Sequence, residues 1–128
     1  MTNKTHISQV DERILLFEDG TAPLGAAASL VGNVIQVSGF THITGFIYSD
    51  VTGGLVIEQG LAIADFPIGT AATSMVTSSA LAITAANITD NAFSVQIVAP
   101  FVRIIYVNGA GAQTDFRAVF EARVLRGL

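Results

Sequence analysis

The sequence predicts an all-β domain, an antiparallel β-sandwich or barrel with seven or eight short strands. Two observations lead to this fold class. From residue 33 onward, apolar residues alternate with polar or small ones at a period of two, and clusters of Gly, Asn, Asp and Thr separate the alternating runs. A segment with helical spacing occurs before residue 20, and no other long amphipathic helix is evident.

The chain is long enough for one domain and poor in charge. Its 128 residues can bury roughly two-thirds of the surface of the unfolded chain. Only 12% of the residues are charged and 51% are hydrophobic, whereas about 25% are charged in typical globular proteins. So few charges indicate that part of the surface is buried against other protein chains.

Eight runs of the sequence predict strands. Pro67 and Pro100 end or interrupt their runs, because proline cannot donate a hydrogen bond to a ladder. Residues 69–79 are small and rich in hydroxyl groups, which predicts a loop or a sheet edge. The predicted strands are residues 33–38, 42–49, 55–59, 61–66, 80–85, 92–99, 101–107 and 114–125.

Two pairs of these strands are expected to form hairpins. In "FIYSDVTGGLVIEQ" a short loop with glycine joins two β-rich runs, and Asp50 is expected to cap that loop through backbone amides. In "FVRIIYVNGAGAQTDFRAVFEARV" Asn108 and Gly109 both tolerate positive φ, which predicts a turn between two strands.

The spacing of Gly109 and Gly111 is also that of a phosphate-binding loop. Such a loop leads from a strand into a helix whose N-terminal amides face the anion. Here a second strand follows, Thr114 takes the place of the third glycine, and no lysine comes after it. The sequence therefore favours a hairpin turn and predicts no nucleotide or other cofactor.

The last strand predicts one buried and one wet face. Arg117, Glu121 and Arg123 alternate with apolar residues, so they share the side that faces water. The residues predicted to face the core are Phe116, Ala118, Phe120, Ala122 and Val124. Arg103, by contrast, lies among apolar residues of its strand and needs a partner, for which we expect Glu58.

The N-terminal part is expected to lie outside the sandwich. Residues 1–32 are interpreted as an arm and a Gly/Ala/Pro-rich linker, and residues 33–128 as the β-sandwich domain. Residues 8–19 fit an amphipathic helix, and a short strand over 14–17 is the alternative. In either form Ile14, Leu15, Leu16 and Phe17 are expected to contact a neighbouring protein.

The sequence lacks the residues that several functional classes need. With no cysteine and only His6 and His42, the sequence predicts no metal site. No acid, base and nucleophile fall in a catalytic pattern, so we expect no enzyme and no small-molecule substrate. A net charge of −4 with one lysine, Lys4, argues against nucleic acid. The uncharged stretches 20–49 and 66–89 are broken by Gly and Pro, which argues against a membrane span.

Two stretches resemble a known family of domains. "GFIYSDVTGGLVIEQ" and "VQIVAPFVRIIYVNGAGAQTDFRAVFEARVL" resemble a β-sandwich domain of structural proteins in tailed bacteriophages and prophages. The resemblance covers roughly residues 40–60 and 92–125 and consists of turn and strand motifs. The loop "GLAIADFPIG" departs from the family, in which a Trp-containing turn often follows. The resemblance implies structural roles for Ser49, Asp50, Gly53, Gly54, Asn108, Gly109 and Gln113.

The resemblance also implies a function. It implies a jelly-roll-like sandwich that decorates or cements a capsid, binding the major capsid protein and copies of itself as a homotrimer. Such a protein is made in the host cytoplasm and located on the capsid surface of the virion. A module of a tail or fibre that binds a receptor or glycan is the alternative, with Tyr48, Tyr106 or the 67–79 loop as the binding patch.

Overall fold

The structure, a computed structural model, describes residues 13–18, 23–67 and 76–124. These residues form nine strands and a single 3-10 turn, Ile63–Asp65. No described helix is long and apolar enough to cross a membrane. The strands are β1 (Arg13–Glu18), β2 (Ser29–Val31), β3 (Ile35–Gln36), β4 (His42–Ser49), β5 (Gly53–Gly60), β6 (Thr77–Ile83), β7 (Ala92–Gln96), β8 (Phe101–Asn108) and β9 (Phe116–Arg123).

The strands make two antiparallel sheets that pack face to face, which confirms the predicted all-β sandwich. Sheet A has the order β1-β9-β4-β7. Sheet B has the order β2-β8-β5-β6, and β3 pairs with β8 beside β2. Eight residues of β4 pair with β9, and eight of β5 pair with β8, so these two ladders form the centre of the sheets.

The core lies between the sheets and follows from the alternation of apolar residues. In β9 Phe116, Ala118, Phe120 and Ala122 are all buried, as the period of two predicts. Aromatic rings from both sheets meet there; for example, the Tyr106 and Phe116 ring centres are 5.0 Å apart. The remaining buried hydrophobic residues of this cluster are Val37, Ile43, Ile47, Leu55, Ile57, Ile83, Val102 and Ile104.

The two predicted hairpins are wrong, because each pair of strands is divided between the sheets. β4 lies in sheet A and β5 in sheet B, and residues 50–52 between them form a first crossover. β8 lies in sheet B and β9 in sheet A, and residues 109–115 form a second crossover. A strand with one apolar face buries that face whether the next strand pairs with it in the same sheet or crosses to the opposite sheet. Alternation alone therefore does not distinguish a hairpin from a crossover.

Parts of the predicted arm and linker belong to the sheets. β1 pairs with β9, and β2 pairs with β8. For residues 14–17 the strand alternative is therefore confirmed and the helix is wrong. Other predicted strands also differ: 33–38 is reduced to β3, and 61–66 contains the 3-10 turn. The strand predicted at 80–85 is β6, Thr77–Ile83, and the strand predicted at 92–99 is β7, which ends at Gln96.

Candidate interaction surface

The two outer faces of the sandwich differ in polarity. On sheet A, β9 turns Arg117, Glu121 and Arg123 outward, and Arg123 Nε lies 3.6 Å from Glu121 Oε1. On the neighbouring strand, His42 lies opposite Arg123 and Thr44 lies opposite Glu121. This is the charged face that the sequence predicts, and it also carries Phe46, which is 42% exposed.

The outer face of sheet B has an uncharged apolar region. Ile104 and Tyr106 are buried in the core, so their neighbours Ile105 and Val107 point to the opposite side of β8. Val107 is 41% exposed, and Val31 on β2 is 54% exposed. We call the outward apolar residues the apolar strip: Val31, Val56, Ala80, Ala82, Ile105 and Val107.

The register of the strands makes the apolar strip continuous. Ile105 lies opposite Val31 on one side and Val56 on the other, and Val56 lies opposite Ala80. Val107 and Ala82 lie two residues further along β8 and β6, and Gly54 of β5 lies between them. From the usual spacing of strands and residues, the strip measures roughly 19 by 14 Å. This contiguous apolar region makes the outer face of sheet B the candidate interaction surface.

One side of the strip is bounded by a buried ion pair. Glu58 on β5 and Arg103 on β8 lie directly opposite, and Arg103 Nε is 2.8 Å from Glu58 Oε1. The two side chains are 11% and 5% exposed. The pairing predicted from the sequence is confirmed, and each charge satisfies the other where water is largely excluded.

Residues 61–67 fold over this ion pair. Arg103 Nη1 donates hydrogen bonds to the carbonyl oxygens of Phe66 and Pro67, at 3.3 and 3.1 Å. The guanidinium carbon also lies 5.5 Å from the centre of the Phe66 ring, within reach of a cation–π contact. In this conformation of residues 61–67, Leu61 is 57% exposed and Ile63 is 61% exposed, just beyond the end of β5. Apolar side chains are therefore exposed on this loop as well as on the strip.

The two crossovers lie side by side and are tied together by Asp50. Its carboxylate accepts hydrogen bonds from the Thr114 hydroxyl at 2.6 Å and from the amides of Thr114 and Asp115. Gly109 N donates to Thr52 O across the same contact, at 3.0 Å. Asp50 therefore joins the second crossover to the first, whereas the sequence predicted a cap within its own loop.

These hydrogen bonds lower the pKa of Asp50, with the bond from the Thr114 hydroxyl as the largest cause. Because the folded-state pKa lies below that of the unfolded chain, the stabilisation is complete above about pH 4. It is lost as the pH falls through the folded-state pKa.

We expect Asp50→Asn to reduce the loss of stability between pH 5 and pH 2, because this carboxylate no longer titrates. Urea unfolding followed by circular dichroism at both pH values measures the effect. Thr114→Ser is the matched control, since it keeps the hydroxyl and the wild-type pH dependence. An unchanged acid dependence in Asp50→Asn would show that other groups control it.

Two buried amide side chains attach residues 24 and 25 to the crossovers. Gln113 Nε2 donates to Ser49 Oγ at 3.1 Å, and Leu24 N donates to Gln113 Oε1 at 2.8 Å. Asn108 Nδ2 donates to the carbonyl oxygens of Leu24 and Gly25. Three of the positions that the resemblance implied as structural, Ser49, Asn108 and Gln113, thus form hydrogen bonds at this end of the sandwich.

The residues predicted for protein contact lie in β1. Ile14 is opposite Ala122 and Phe17 is opposite Phe120, with an irregularity in the register between Leu15 and Phe17. Leu16 lies within that irregularity. The structure therefore places their backbone at one edge of sheet A, and their contact with another chain stays a prediction.

Other predicted residues occupy different places from those expected. Gly53 and Gly54 are the first two residues of β5 and not part of a loop. Tyr106 is 1% exposed and cannot form a platform for a sugar. Tyr48 lies on the outer face of sheet A, opposite Arg117.

The described residues contain neither a metal cluster nor a deep ligand cavity. No group of three or more His, Asp and Glu side chains in this part of the chain could hold a metal ion. An apolar crevice between β2 and β3 has a free volume of about 10 Å³. One water needs about 10–15 Å³, so the crevice has no room for a ligand. The apolar strip is the feature that sequence reasoning missed, because its members come from four strands whose register was unknown.

Comparisons with known proteins agree with this architecture. Residues 6–122 match the family described as the N-terminal domain of uncharacterised protein YqxG. No curated protein is significantly similar in sequence. Among solved structures, the PBSX exported protein XepA has a similar fold, with a TM-score of 0.65 and 18% identity over 94% of the chain. The alignment spans 39% of XepA. Because the family match covers most of the sequence, the chain belongs to the YqxG N-terminal domain family.

Proposed function

We propose that this chain is a structural protein of a phage particle, a decoration or cement protein that binds the capsid surface as an oligomer. The observation that carries the proposal is the apolar strip, an uncharged face on a chain in which only 12% of the residues are charged. A protein contact would cover this face, whereas the polar face of sheet A stays in water. The same picture gives the chain no catalytic role.

The phage assignment is supported by two similarities. The turn and strand motifs of residues 40–60 and 92–125 resemble those of domains in phage structural proteins. The fold is shared with an exported protein of the phage PBSX. The proposed partners are the major capsid protein and further copies of the chain, a homotrimer being the form that the resemblance implies.

A binding assay with phage particles tests the contact through the apolar strip. Particles are produced from the phage genome that encodes the chain, with its gene deleted, and mixed with the purified protein. We expect the wild type to sediment with the particles and Val107→Glu to bind at least about tenfold more weakly, because a buried unpaired charge costs more than 1.4 kcal/mol.

Val98→Glu is the matched control for this assay. Val98 is 65% exposed and lies between β7 and β8, away from the strip. Equal binding of the two variants would exclude the strip as the contact. Failure of the wild type to bind heads would contradict capsid decoration, and binding to separated tails would favour the alternative location.

A second candidate function is a tail or fibre module that binds a receptor or glycan. It is favoured by a shallow groove of about 250 Å³ on the outer face of sheet A. Phe46, 42% exposed, offers an aromatic ring there beside the hydroxyl of Thr44 and the charged groups of Glu121 and Arg123. A glycan array supports this function if a signal appears and Phe46→Ala removes it.

A further inference from the structure

The pair Asn108–Gly109, where β8 meets the second crossover, is prone to lose its side-chain amide. An asparagine is deamidated when the backbone nitrogen of the next residue attacks its side-chain carbonyl carbon. Glycine hinders this attack least, because it has no side chain. Asn108 is the one asparagine of the sequence that a glycine follows, whereas lysine, valine, isoleucine and alanine follow the others. The most labile amide of the chain therefore lies at the start of this crossover.

The fold requires both residues of this pair. Asn108 is 2% exposed. Its Nδ2 donates hydrogen bonds to three backbone carbonyl oxygens, those of Leu24, Gly25 and Gly111, at 3.2, 2.8 and 2.8 Å. A Cβ at position 109 would lie 2.6 Å from Thr52 O in the first crossover, so this position does not accept a side chain. Neither residue can be exchanged for a less labile one without loss of these contacts.

The folded chain holds the two reacting groups apart. Asn108 is the last residue of β8 and lies opposite Gly53, and its backbone N donates to Ala28 O at 2.9 Å. Strand residues have ψ of about +135°, and the backbone must rotate far from this angle before Gly109 N reaches Asn108 Cγ. Gly109 N must also lose its proton before it attacks, and this N–H donates to Thr52 O at 3.0 Å. Deamidation therefore requires the crossovers to open.

We propose that Asn108 is a deamidation site controlled by the fold: the folded chain keeps the amide, and a chain that stays open loses it and cannot fold again. In the open chain Gly109 N gives up its proton and bonds to Asn108 Cγ, ammonia leaves, and a succinimide ring forms. Water opens this ring at either carbonyl, which leaves aspartate or isoaspartate at position 108. In sum, water is consumed and ammonia is released. The site is independent of the phage function.

The buried position has no hydrogen-bond donor for the carboxylate that replaces the amide. One carboxylate oxygen would face the three carbonyl oxygens that accept from Nδ2. The other would take the place of Asn108 Oδ1, which has no hydrogen-bond partner among the described residues. A buried charge without donors is strongly unfavourable. Isoaspartate also lengthens the backbone by a methylene group, so residues 24 and 25 lose their attachment to the second crossover in either product.

This chemistry turns a reversible opening into a permanent one. A chain that opens and closes quickly keeps its amide and returns to the native structure. A chain that stays open is modified at position 108 and leaves the folded population, so its loss is governed by a rate and not by the folding equilibrium alone. The duration of unfolding, and not unfolding itself, then decides whether the protein recovers.

Timed unfolding of the wild-type chain tests this control. The protein is held at pH 8 in buffer or in urea that unfolds it, and samples are digested with trypsin. Cleavage after Arg103 and Arg117 releases peptide 104–117. Its fragment masses report the exchange of amide for carboxyl at Asn108 separately from Gln113. We expect conversion to be at least about tenfold slower in buffer, because it needs local opening. The refolded fraction, from circular dichroism after removal of urea, should fall in step with conversion.

The same time in urea at pH 5 is the matched control, because less Gly109 N is deprotonated there. This sample should keep the amide and refold completely. Equal rates of conversion in buffer and in urea, or full refolding of converted chains, would overturn the proposal.

Asn108→Asp provides a second readout that needs no timed unfolding. At pH 8 we expect its urea midpoint to lie below that of the wild type, and a variant that does not fold at pH 8 is the extreme of this loss. The gap should narrow at pH 5, because burial raises the pKa of the new carboxyl and its protonated form donates to the carbonyl oxygens. A wild-type midpoint at pH 8 would show that the site tolerates the product and would also overturn the proposal.

Discussion

Replacing Arg103 by methionine is expected to lower the free energy of unfolding by about 3–5 kcal/mol, because a buried carboxylate loses its partner. In the wild type Arg103 Nε lies 2.8 Å from Glu58 Oε1. The variant also removes the hydrogen bonds that Arg103 Nη1 donates to the carbonyls of Phe66 and Pro67. Residues 61–67 should therefore come away from sheet B. For a domain of this size, the melting temperature falls by more than about 10 °C.

A double-mutant cycle separates the ion pair from the other contacts of Arg103. The cycle uses Glu58→Leu, Arg103→Met and both together, with urea unfolding as the measurement. We expect the double variant to be more stable than Arg103→Met alone, because it leaves no unpaired charge under residues 61–67. Additive effects, with no coupling between positions 58 and 103, would mean that the ion pair contributes nothing specific.

The faces of the strands could be predicted from the sequence, because each strand carries that information by itself. In β9 the buried residues Phe116 to Ala122 alternate with Arg117 and Glu121, as expected from the period of two. The Glu58–Arg103 pair was predictable for a related reason. A lone arginine among apolar residues needs an acid, and few acids lie in the predicted strands.

The pairing of the strands could not be predicted in the same way. A glycine-containing loop between β4 and β5 fits a hairpin and a crossover equally well at the level of single residues. The crossover forms because β4 pairs with β9, and β5 with β8, which are distant in sequence. The hydrogen bonds from Thr114 and Asp115 to Asp50 then hold the two crossovers together.

The apolar strip could not be predicted from the sequence for the same reason. Val31, Val56 and Ala80 are unremarkable residues within their own strands. They form one surface only because the register aligns them with Ile105 in a row across sheet B. The sequence indicated that part of the surface is covered, through its low charge, but the location depends on contacts between distant strands.

The neighbouring glycines at the start of β5 are expected to respond in opposite directions to replacement by alanine. A Cβ at Gly53 would clash with the Tyr106 hydroxyl and lie 2.8 Å from Val107 O. Tyr106 is buried against Phe116, so neither the ring nor the paired backbone can move without loss. We expect Gly53→Ala to lower the free energy of unfolding by about 1–3 kcal/mol, the usual cost of overpacking.

Gly54→Ala is the matched variant, one residue along the same strand. A Cβ there has no atom within 4 Å and would point to the outer face of sheet B. Alanine restricts the unfolded chain more than glycine does, so we expect this variant to gain up to about 1 kcal/mol. Urea unfolding of both variants measures the difference. If Gly53→Ala were as stable as Gly54→Ala, Tyr106 could not be packed against residue 53, and the junction between the first crossover and β5 would differ from the one described.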